Sequence, residues 1–80
     1  MVDINLWSGL RRFAADQTVV SVEGGTVREI LDALTKAHPP LLPVIKAGVS
    51  VAVNGQIVTN MSSPISGSDE VYLIQRIKGG

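Results

Sequence analysis

Apolar and polar residues alternate from the start of the chain, with Val2, Ile4 and Leu6 set against Asp3, Asn5 and Trp7. That period of two belongs to a strand with one buried face, so Val2 to Leu6 reads as a first strand. Ser8-Gly9 breaks the alternation, and Leu10 to Ala15 fits a short helical turn. Thr18-Val19-Val20-Ser21-Val22 is β-branched and reads as a second strand, antiparallel to the first and closed by Gly24-Gly25. The period then changes. Val27, Ile30, Leu31 and Leu34 make one helical stripe, with Arg28, Asp32 and Lys36 outside it. Thr26 and Glu29 have capping-box spacing, in which hydroxyl and carboxylate each accept a hydrogen bond from an otherwise unpaired amide. His38-Pro39-Pro40 ends the helix, because proline cannot donate to the ladder and disfavours helix in the residue before it. A short irregular helix fits Leu41 to Lys46.

Alternation returns at Val49-Ser50-Val51-Ala52-Val53. Asn54-Gly55 then supplies the positive φ angles of a two-residue type I′ turn, so Gln56-Ile57-Val58 is the return strand of a hairpin. Thr59 to Ser66 is turn-rich, and Gly67-Ser68-Asp69 introduces a last strand, Glu70 to Ile77. Strand, strand, helix, hairpin, strand permits few folds. It predicts an α+β domain: a mixed sheet of about five strands on one main helix, with the last strand parallel to the first. That is the β-grasp, or ubiquitin-like, arrangement.

Composition narrows the class. Eighty residues make one domain, expected over residues 1–78 with a flexible di-glycine tail at 79–80, and 45% hydrophobic residues suffice for one core. The absence of cysteine removes disulfides and thiolate metal sites and fits a reducing cytoplasm. Seven basic and seven acidic residues cancel without any block of like charge, which argues against nucleic-acid binding. No apolar run approaches the roughly 18 residues of a membrane helix, and the N-terminus lacks a signal-peptide pattern. A small soluble cytoplasmic domain is expected.

Candidate chemistry is sparse. His38 beside prolines at a helix end suits the helix dipole better than catalysis. Asp69-Glu70 reads as a solvated turn, and Gly24-Gly25 lacks the further glycines and lysine of a phosphate loop. Arg11-Arg12 reads as a solvated pair or a partner contact. Gly79-Gly80, directly after the last strand, is the informative feature: without Cβ, such a tail fits a channel too narrow for side chains. Partner binding has a candidate too. Trp7 falls on the outward parity of the first strand, and Tyr72 and Ile74 on that of the last. Trp7, Ile74 and Val58 then make an apolar patch on the uncovered sheet face, unless strand twist buries Trp7 in a secondary core.

Several segments together carry a family resemblance. Leu6-Trp7-Ser8-Gly9-Leu10-Arg11, Gly25 to Leu34, Val51-Ala52-Val53-Asn54-Gly55, Gly67-Ser68-Asp69-Glu70-Val71 and Gly79-Gly80 follow in the order found in ubiquitin-like sulfur carriers. The chain resembles the small subunit of molybdopterin synthase and the thiamine sulfur carrier along nearly its whole length. Its approach to the glycines, Gln75-Arg76-Ile77-Lys78, is more like the basic tail of ubiquitin-type modifiers. The resemblance implies that Gly80 is the covalently modified residue and that Gly79 and Gly80 enter the partner's site; Arg76 and Lys78, just before them, are further candidates for partner binding. It implies no catalytic group, metal or bound cofactor in the chain itself, ATP being used by an E1-like adenylating partner. Further partners implied are a sulfur donor protein and a sulfur-accepting synthase. Conjugation to lysine amines and a purely non-covalent binding module are the two other readings open to such a chain.

Overall fold

The structure, a computed structural model, describes residues 1–75. The tail expected to be mobile, with Arg76, Lys78, Gly79 and Gly80, lies outside the described residues, as does the expected continuation of the last strand to Ile77. Five strands form one mixed sheet: β1 (Val2–Leu6), β2 (Val19–Val22), β3 (Val49–Val53), β4 (Gln56–Val58) and β5 (Val71–Gln75), in the order β2-β1-β5-β3-β4. β1 is antiparallel to β2 and parallel to β5, so the last strand returns beside the first as the pattern predicts. α1 (Ser8–Arg11) continues into a 3-10 turn over Arg12–Ala14, replacing the expected turn from Leu10 to Ala15. Its start at Ser8 buries both Leu10 and Ala14 completely. Ala15 and Asp16 then take positive φ values of 53° and 61°, turning the chain towards β2.

α2 (Val27–Ala37) covers one face of the sheet and buries Val27, Ile30, Leu31 and Leu34. These side chains share one core with Val2, Ile4 and Leu6 of β1, Val20 and Val22 of β2, and Val71 and Leu73 of β5. The cap forms with one shift. The Glu29 amide donates to Thr26 Oγ1 at 3.2 Å, while the Glu29 carboxylate accepts from the Gly25 amide at 2.9 Å. Gly24 lets this start lie close: a Cβ there would stand 2.9 Å from Ile30 Cγ2 and 3.0 Å from its amide nitrogen. His38 closes α2, donating its amide to the Leu34 carbonyl, and α3 (Leu41–Ala47) follows with Leu41 buried.

The hairpin turn has φ of 52° at Asn54 and 84° at Gly55, the signature of a type I′ turn. Asn54 also fastens the hairpin to the loop before β5. Its Nδ2 donates to Asp69 Oδ1 at 3.0 Å, and its Oδ1 accepts from the Glu70 amide at 2.9 Å. Asp69 Oδ2 accepts from the Ser66 amide at 2.8 Å. Donation from Ser66 and then Asn54 holds the Asp69 carboxyl below its ordinary 3.8. A depressed folded-state pKa gives stability that is present above the unfolded value and lost as pH falls through the folded one. Thermal melts of wild type and Asp69→Asn should therefore differ near neutrality, and the gap should close as pH drops below 3.8. A gap independent of pH would mean that the carboxylate charge contributes nothing.

Candidate functional site

Among the described residues no helix lies over the face of the sheet opposite α2, and its side chains follow from the register. Asn5 pairs with Val19 and Tyr72, Tyr72 with Ala52, and Ala52 with Ile57. Directly opposed residues share a face, so Val19, Asn5, Tyr72, Ala52 and Ile57 form one row across all five strands. Ile57 is 58% exposed, Val19 39% and Tyr72 36%. Asn5 is the polar member of the row and donates from Nδ2 to the Val71 carbonyl at 3.0 Å. The adjacent row holds Ile74, half-buried and opposite Ser50. Trp7 extends β1 by one residue, its amide donating to the Leu73 carbonyl at 3.2 Å. It is 48% exposed, which settles the alternative of a secondary core in favour of the surface.

One expected member belongs elsewhere. Val58 pairs with Val51, which pairs with Leu73, and both of those are buried under the helices. Val58 is therefore on the covered face, packed against the core. There it lines a groove of about 220 Å³ with Leu31, Ile45, Val51 and Met61. The reason is parity. A two-residue turn at 54–55 sets Val53 opposite Gln56, so Ile57 faces outward and Val58 inward. Counting back from the turn gives Ile57 from sequence alone. Val19 is reachable the same way once β1 and β2 are aligned.

The patch adjoins the last described residue of the chain. Gln75, the last residue of β5, pairs with Val49. α1 lies against it, since a Cβ on Gly9 would stand 3.1 Å from Gln75 Oε1. Arg11, at the end of α1, donates from Nε to the Leu6 carbonyl at 3.2 Å and so ties the turn back to β1. The site thus consists of Trp7, Tyr72 and Ile74 near the exit, with Ala52, Ile57 and Val19 extending it across the sheet. It is an exposed, largely apolar surface. Among the described residues no group of three or more His, Asp or Glu side chains is arranged to hold a metal ion, and no helix is long and apolar enough to cross a membrane.

Solved structures share this fold. SAMP1 of Haloferax volcanii, a small archaeal modifier protein, is 30% identical, with 99% of this chain and 98% of that one aligned and a TM-score of 0.74. A chain of the BexX/CysO complex of Amycolatopsis orientalis is 22% identical over the full length of both, with a TM-score of 0.79. A chain of the complex between subunits 1 and 2 of Helicobacter pylori molybdopterin-converting factor is 16% identical, covering 99% and 97%, with a TM-score of 0.71. The last two likenesses show the fold alone. No curated protein sequence matches closely enough to count as a relative. The ThiS family matches residues 4–80, from within β1 through the terminal glycines. With a five-stranded β-grasp sheet and a family match over almost all of its length, the chain belongs to the ThiS family of ubiquitin-like sulfur carriers.

Proposed function

We propose that this protein carries sulfur on its C-terminal carboxylate for cofactor biosynthesis of the thiamine or molybdopterin type, acting in the cytoplasm. The observation that carries the reading is the family match, which runs through Gly79 and Gly80. A carboxylate is a poor electrophile because its leaving group would be oxide. An ATP-dependent adenylating enzyme solves this: the Gly80 carboxylate attacks the α-phosphorus, pyrophosphate leaves, and a mixed anhydride with AMP results. Sulfide-level sulfur from a donor protein then attacks the carbonyl carbon, the C–O bond to AMP breaks, and a thiocarboxylate remains. Its sulfur is ionised at neutral pH and nucleophilic towards the substrate of an accepting synthase. The chain's own part is to be recognised and to present its end; ATP and catalytic groups belong to its partners. The neighbouring folds solved with partners, the BexX/CysO complex and the complex of converting-factor subunits 1 and 2, support a synthase-type partner.

A second reading is favoured by the 30% identity to an archaeal modifier protein: after the same activation, Gly80 is joined to lysine amines. Intact mass of the chain purified from its native host separates the two. Exchange of one oxygen for sulfur at Gly80 supports the carrier. Isopeptide conjugates support the modifier. An unmodified chain that an adenylating enzyme does not accept would overturn both.

Recognition has its own test. Trp7→Ala or Ile74→Ala should weaken binding to the adenylating or sulfur-accepting partner by more than about 1 kcal/mol, as pre-ordered apolar anchors do. Asp3→Ala should matter little. Titration calorimetry with circular dichroism as a folding control decides it, and unchanged affinity in both variants would remove this face from the interface.

A further inference from the structure

The charges of the chain cancel in sum yet are sorted along the strand direction of the sheet. Where β1 and β5 begin, Asp3 and Glu70 precede the paired residues Ile4 and Val71. Asp69 lies in the adjoining turn, bonded to Asn54 and Ser66. Glu23 follows β2 at the same end, and Glu29 occupies the first turn of α2. Arg28 is the cation within this group. The opposite end, where β5 reaches Gln75, is basic. Arg11 ends α1, and the exposed Arg12 guanidinium lies 4.8 Å from the Phe13 ring centroid. Lys46 stands in the last turn of α3, shortly before Val49, which pairs with Gln75. Asp16 is the acidic residue following this turn.

Five residues of β1 separate the two ends, roughly 16 Å of strand at about 3.3 Å per residue. That exceeds the Debye length of about 8 Å at physiological salt. A partner approaching the exit end therefore meets the cations largely uncancelled by the carboxylates behind them. Resting on the carrier reading, we propose that Arg11, Arg12 and Lys46 form a cationic rim that steers the exit end of the protein onto an acidic protein surface around the adenylating partner's active-site entrance. A polyanion such as nucleic acid fits less well, because it would run on past the rim into the acidic end. The half-buried Arg11, fixed by its bond to Leu6, sets the position of the rim, while Arg12 and Lys46 supply exposed charge.

The test is the second-order rate constant for adenylation by the host's own adenylating enzyme, at limiting carrier and at low and high salt. The double variant Arg12→Glu/Lys46→Glu should be slower than wild type by about tenfold or more at low salt, with most of the difference gone at high salt. Arg28→Glu, a single reversal of the same kind at the other end, should stay within about twofold of wild type. Arg12→Gln/Lys46→Gln, showing a smaller loss of the same salt dependence, replaces the reversal should circular dichroism show that it unfolds. A double variant with wild-type rates would overturn the steering proposal and leave the carrier reading intact. A loss equal at both salt concentrations would overturn it as well, since exposed charges are screened. Failure of the wild-type chain itself to be adenylated would remove the carrier reading, and this proposal with it.

Discussion

A chain shortened to end at Lys78 is expected to melt at the temperature of the full-length protein and to be inert towards the adenylating enzyme. The two effects separate because they come from different parts of the molecule. Every buried side chain described here lies at or before Leu73, and glycine has no side chain to add to that core. The shortened chain still ends in a carboxylate, but that carboxylate sits on a lysine, whose side chain cannot enter a channel shaped for glycine. Thermal melts by circular dichroism and an ATP–pyrophosphate exchange assay on the same sample measure both quantities. A shortened chain that melts many degrees lower would make the glycines structural and would undo the assignment of roles.

Leu34→Ala should do the reverse. Leu34 is completely buried on the covering face of α2, within the same cluster as Ile4, Leu6 and Leu73. Truncating it removes burial and leaves a cavity that a sheet fixed by backbone hydrogen bonds closes poorly, at a cost of about 2–5 kcal/mol. For a domain of this size the total stability is on the order of 4–12 kcal/mol, so the loss is a large share of it. The midpoint of thermal unfolding should fall by roughly 10 °C or more. Below that midpoint the folded fraction should still be adenylated, since the exit end is untouched. Urea unfolding gives the free energy directly, and a loss under about 1 kcal/mol would mean that α2 is not the principal cover of the sheet.

Much of the fold is written in local pattern. The strand periods, the Thr26/Glu29 cap, the proline stop after His38 and the Asn54-Gly55 turn each have a short-range physical cause, and each forms where the pattern sets it. The departures have causes of longer range. β2 starts at Val19 rather than Thr18, where pairing with Asn5 of β1 begins. The helical turn after β1 starts two residues early, at Ser8, because burial of Leu10 rewards it. The candidate face was half legible. Outward parity along single strands places Trp7, Tyr72 and Ile74. Membership across strands depends on register, which is why Val58 stood in for Ile57 and why Val19 was missed. The sorting of charge could not be read from a net charge of zero, because it needs the topology that sets Lys46 near Gln75 and Asp3 near Glu70.

The strand order has a consequence for how the protein is made. β5 lies between β1 and β3, in the middle of the sheet, yet it is synthesised after all the other strands. Until it leaves the ribosome, β1–β2 and β3–β4 are separate hairpins with no sheet between them, and α2 has no continuous surface to cover. The pairing of Ile4 with Val71 and of Leu6 with Leu73 joins segments from opposite ends of the chain, the kind of contact that forms late and at high entropic cost. Completion of the domain thus waits for its last strand. A chain that stops before β5 lacks its central strand as well as the glycines beyond it, so it presents neither a folded body nor an activatable end.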